Sequence, residues 1–111
     1  MARETFDNYE KAVGPCYAAQ KALRLYAEDK NNTIRDRDYA KDLYIWLGET
    51  DTDIDGLMEI AYDYGLFILN ALENIKPEQV NTLYNDSNLL LNYISALESL
   101  RYQKNTLEQR T

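Results

Sequence analysis

Asp51-Thr52-Asp53-Ile54-Asp55-Gly56 is the run with the most chemistry in it. Acids at alternate positions followed by glycine are what a hard cation needs from a tight loop. Side-chain oxygens sit at positions 1, 3 and 5, glycine makes the sharp turn at 6, and a two-oxygen carboxylate closes the shell at position 12. Asp51, Asp53, Asp55 and Gly56 supply the first half, and Glu59 stands at position 9, where a water can bridge. Position 12 is Tyr62, a neutral phenol that cannot clamp a cation through two oxygens. Asp63 follows one residue later, about 100° further round a helix, and does not substitute for it.

The likeness to a calcium loop therefore covers six residues, and no second copy occurs elsewhere in the chain. Aspartate and threonine also gather at helix N-termini, where they cap free N–H groups and complement the positive end of the helix dipole, at about 0.5–2 kcal/mol for a cap. Helix-start chemistry is the expected role of Thr50 to Asp55. Weak calcium binding by Asp51, Asp53, Asp55 and Glu59 is the alternative.

The run sits in a wider feature. Between Asp42 and Ile75 there are eight acids and no Lys or Arg, while the segments on either side nearly balance, so the formal charge of −7 is local. Asp55, Glu59 and Asp63 recur every four residues, which on a continuous helix stacks them along one face at about 6 Å per step. Like charges so spaced repel by a few tenths of a kcal/mol per pair, and no base on the same helix offsets them. A basic protein surface is the expected counterpart, with Tyr62, Tyr64 and Phe67 as neighbouring aromatic contacts. Tyr is the commonest aromatic here, at ten residues, and it gives large contact area at low entropic cost.

Other chemistry is mostly excluded. The chain has no histidine, which removes the commonest general base and metal ligand. Cys16 lies among apolar residues without a base to activate it. No glycine-rich phosphate loop occurs, and no cofactor is expected. The bases Lys30, Arg35, Arg37 and Lys41 are interleaved with Asp36, Asp38 and Asp42, so their field largely cancels. An acidic balance argues against nucleic acid and anionic membranes as partners.

These residues must be held by helices. Gly and Pro number only four and two, and no segment alternates long enough for a strand. The expected fold is all-α, an up-and-down four-helix bundle forming a single domain over residues 1–111. Its first helix, about 4 to 29, carries Phe6, Tyr9, Val13, Cys16, Ala19, Leu23 and Tyr26 on one stripe and kinks at Gly14-Pro15. Two helices meeting at Gly14 are the alternative. Thr33 is the expected cap of a second helix that ends with Gly48 and buries Tyr39, Leu43, Trp46 and Leu47. The third begins near Asp51 to Asp55, stops before Pro77 and buries Ile54, Leu57, Met58, Ala61, Gly65, Ile68 and Leu72. A second row, Ile60, Tyr64, Phe67 and Ala71, makes it the most central helix. The last segment starts at Pro77, with Val80, Leu83, Leu90, Ile94, Leu97 and Leu100 inward and a candidate break at Asp86-Ser87.

With no charged leader and no apolar run near the roughly 20 residues a bilayer needs, the expectation is a cytoplasmic protein without enzymatic activity. It binds another macromolecule as an inhibitor or adaptor. The alternatives are a structural subunit or homo-oligomer, and a calcium-binding protein.

Overall fold

Gly14 and Pro15 decide how the chain begins. Gly14 adopts φ 62° and ψ −139°, the left-handed side of conformational space that glycine enters without a Cβ clash. Pro15 then takes the first position of a helix, where its missing N–H costs nothing. The single kinked helix expected over 4–29 does not form. A 3-10 turn at Phe6–Tyr9 is followed by irregular chain, and Val13, expected on the buried stripe, is 81% exposed.

The computed structural model describes residues 6–75 and 87–110. After the opening turn come α1 (Pro15–Glu28), α2 (Ile34–Glu49), a 3-10 turn at Ile54–Gly56, α3 (Leu57–Ile60), α4 (Tyr62–Glu73) and α5 (Ser87–Gln109). The described residues contain no strand. None of their helices is long and apolar enough to cross a membrane. Val80, Leu83 and the segment from Pro77 to Asp86 lie outside the described residues, as does any break before Ser87.

Both α1 and α4 pack against α2, α5 and each other, so the centre is shared rather than held by one helix. Leu23, Leu43, Leu47, Leu57, Ile68, Leu72 and Leu100 are all essentially inaccessible, at about 1.5–3 kcal/mol of transfer free energy each. Thr33 caps α2 as expected, its Oγ1 accepting from Asp36 N at 3.2 Å. The helix does not stop at Gly48. It runs to Glu49, and Gly48 is small for another reason: a Cβ there would collide with Tyr9 O and lie 2.9 Å from Gln20 Nε2.

That contact belongs to a buried junction. Gln20 is fully inaccessible. Its Nε2 donates to Tyr9 O at 2.9 Å and Tyr44 O at 2.7 Å, and its Oε1 accepts from Ala12 N at 3.2 Å. Beside it the Tyr44 hydroxyl lies 2.8 Å from both Phe6 O and Glu10 Oε1 and donates its one proton to them. Glu10 in turn meets Lys21 Nζ at 3.1 Å and Arg24 Nη1 at 3.5 Å. Side chains of α1 and α2 thus satisfy the irregular N-terminal backbone, which has no helical ladder of its own.

In α5 the buried positions are Leu89, Ala96, Leu100 and Gln103. Ile94, expected inside, is 43% exposed, because the face that docks is rotated by about one residue from the Leu90, Ile94, Leu97 row. Small Ala96 and the reach of Gln103 suit that face to close approach.

Replacing Gln20 by Leu keeps volume but strips Ala12 N–H and Tyr9 O of their partner, so urea unfolding should show a loss of about 2–4 kcal/mol. Burial, then the Glu10 carboxylate, push the Tyr44 phenol well above its ordinary value of 10. A raised folded value means its contribution is complete below pH 10 and is lost as pH climbs beyond it. Tyr44→Phe should therefore flatten the fall of the urea midpoint above pH 10, relative to the parent protein.

Candidate functional site

A helix running unbroken through residues 54–75 would bond Met58 N–H to Ile54 C=O. Here the side-chain amide of Gln103 is inserted into that rung. Its Oε1 accepts from Met58 N at 2.9 Å, and its Nε2 donates to Ile54 O. A side chain entering the ladder is a recognised cause of helix interruption. Three residues later Ala61 leaves helical geometry altogether, at φ −147° and ψ 81°. Met58 folds onto the bare backbone of Gly65, where a Cβ would overlap Met58 Cγ. The close approach at Gly65 is thus made by Met58 from the preceding turn.

This break overturns the expectation of one carboxylate row. Asp55 lies in the 3-10 turn, Glu59 in α3 and Asp63 in α4 beyond Ala61. Asp55 and Glu59 meet Glu98 of α5 instead, around a trough of about 360 Å³ whose lining includes Ser99, Tyr102, Gln103, Thr106 and Leu107 and contains no Lys or Arg. Ser99 Oγ donates to Asp55 Oδ1 at 2.6 Å and fixes that carboxylate at the rim. Past Glu59 and Leu107 the trough opens into a second hollow of about 520 Å³, lined also by Met58, Tyr62, Glu108 and Arg110.

Asp63, Tyr64 and Phe67 do not line either space. Tyr64 packs edge-on against Trp46 at 5.1 Å and Tyr39 at 6.2 Å between ring centres, and Phe67 does the same with Tyr39 at 4.7 Å and Tyr26 at 5.1 Å. Burial, then Tyr64 and Asp63, raise the Tyr39 phenol above its ordinary value, which places Asp63 on that aromatic side. The second apolar row also dissolves: Ile60 is 66% exposed on the short helix while Ala71 is buried.

The Asp51 to Asp55 run caps less than its composition promises. Asp53 holds the cap position of the 3-10 turn without a side-chain cap bond. Thr50 Oγ1 takes Thr52 N at 3.3 Å, and Gly56 N closes onto the Asp53 carbonyl at 3.2 Å. Three residues are too short a helix for a dipole to organise several carboxylates. Among the described residues no group of three or more acidic, Cys or His side chains is gathered in a way that holds a metal ion, Asp51, Asp53, Asp55 and Glu59 included. Cys16 Sγ lies 3.4 Å from Thr52 O, and burial, then the Asp53 carboxylate, push its thiol up from its ordinary value.

Sequence reasoning missed Glu98, Tyr102 and Gln103. The available signal was Gln103 itself, a polar residue in the row Ala96, Leu100, Gln103, Leu107 at steps of four, three and four. A separate hollow of about 400 Å³ is lined by Asn31, Asn32, Asn70 and Asn74. Its amides are partly committed internally, Asn74 Nδ2 to Asn70 O at 2.7 Å and Asn32 Nδ2 to Tyr26 O at 3.0 Å.

Gln103→Ala should expose the Met58 N–H, raising its hydrogen-exchange rate by about tenfold or more, the equivalent of about 1.4 kcal/mol. Exchange at Leu23 in α1 should change less, which NMR resolves residue by residue. Comparison with protein-family models, curated proteins and solved structures found no match to the chain.

Proposed function

We propose that this is a non-catalytic binding protein of inhibitor or adaptor type, and that its trough receives a basic surface of a partner protein. The observation that carries the reading is the convergence of Asp55, Glu59 and Glu98, from three separate elements, on a floor that includes Leu107 and a lining without cations. Repulsion among such carboxylates is tolerated in solvent and relieved by incoming Lys or Arg. Tyr62 borders the continuation of the trough and adds aromatic contact. Asp63, with Tyr64 and Phe67 behind it, extends the field on the far side of Ala61. The formal charge of −7 directs the choice towards basic proteins and away from nucleic acid or membranes. In this reading the four longer helices form an up-and-down bundle, supported by the short turn over 29–33 that joins the well-packed α1 and α2.

The exposed Ile60 and Leu91 favour a second reading, a structural subunit that packs against its own copies. A monomer at micromolar concentration by sedimentation would remove it.

Changing Asp55, Glu59 and Glu98 together to Lys should abolish recovery of the partner in a pull-down from native extract. The helical circular-dichroism signal should be unchanged. Recovery of the same partner by the charge-reversed protein sinks the proposal. Binding by the parent should also weaken steeply between 50 and 300 mM salt, on the order expected of screened charges with a Debye length of about 6–14 Å.

A further inference from the structure

Resting on the acidic-trough reading, the geometry points to a partner segment of a particular shape: an amphipathic basic helix that lies along α5. Leu91, Ile94, Glu98 and Tyr102 follow one another at steps of three, four and four, within an arc of about 80° over about 16 Å of helix. Leu91 is 66% exposed, Ile94 43% and Tyr102 73%. The row has two chemically distinct ends. Leu91 and Ile94 offer apolar surface, while Glu98 and Tyr102 border the trough that Asp55 and Glu59 complete from the other side.

A complementary segment needs apolar side chains spaced three or four residues apart over the first end. One to two turns further on it needs Lys or Arg over the second. A helix meets both demands with one face, which is the helix-in-groove mode of recognition. Tyr102 presents a ring on which an arginine can stack.

Charge selects this occupant over a second copy of the chain. A two-fold pairing across the same face buries the Asp55, Glu59 and Glu98 groups of both copies, and the trough of neither copy brings a Lys or Arg to meet them. The apolar end alone, two side chains, is small beside the roughly 800 Å² per partner of a stable interface.

The test uses two fluorescein-labelled synthetic peptides of identical composition and about 18 residues, one with Leu and Arg or Lys in helical periodicity and one scrambled. By anisotropy the full-length protein should bind the periodic peptide at least tenfold more tightly than the scrambled one, with a gain in peptide helicity on binding. Leu91→Ser with Ile94→Ser, both exposed and therefore safe for folding, should erase that preference and leave the scrambled peptide unaffected. Charge reversal at Asp55, Glu59 and Glu98 should weaken both. Equal affinities that ignore the Leu91 and Ile94 changes would overturn the helical segment while leaving the acidic trough standing. Absence of binding by either peptide, or binding untouched by charge reversal, would overturn both.

Discussion

One carboxamide sets the shape of the acidic surface. Gln103, inserted between Met58 N–H and Ile54 C=O, takes over both halves of a helical rung and so interrupts the segment without orphaning a buried backbone group. The alternative, a bare break, would leave a donor and an acceptor unpaired in a nearly dry environment, at about 1–3 kcal/mol each. Because the substitution is complete, the 3-10 turn and α3 rest against α5 rather than continuing into α4. Asp55 and Glu59 come to face Glu98 for that reason. Gln20 solves the matching problem at the other end, where residues 6–14 lack a ladder and borrow donors and acceptors from α1 and α2.

The two junctions share a logic. Each uses a primary amide, which is donor and acceptor at once and carries no charge to desolvate. A carboxylate or a lysine in either place would need a counter-ion in the core. Around Gln20 the charged groups stay at the edge, with Glu10 spanning Lys21 and Arg24. Around Gln103 they are acidic only, so the rim of the trough keeps an unbalanced field beside apolar contact area.

The helical class and most buried leucines were legible in the chain because they follow from spacing. Ile54, Leu57, Met58, Gly65, Ile68 and Leu72 all lie inside as the spacing predicts, and Thr33 is the cap its side chain suggests. The path through Gly14-Pro15 was open to two conformations, and tertiary bonds from Gln20 and Tyr44 selected the broken one. The end of the presumed carboxylate row was illegible for a different reason. Ala61 is the best of helix formers by propensity, and nothing local tells it to unwind; the side chain that enters the ladder just before it, Gln103, stands on α5, 45 and 49 positions from the Met58 and Ile54 it bonds. Glu98 belongs to a stretch whose charges balance, so a search for charge imbalance passes over it.

Gln103 joins Met58 and Ile54 across separations of 45 and 49 residues, which ties the appearance of the trough to the order of folding. Packing of α1 on α2 needs only the local turn between them and can proceed early. The segment that bears Asp55 and Glu59 gains the Gln103 amide only when α5 docks, a late event by loop-closure entropy. During synthesis the acidic rim therefore forms only when α5 docks, together with the core positions Ala96 and Leu100 that α5 supplies.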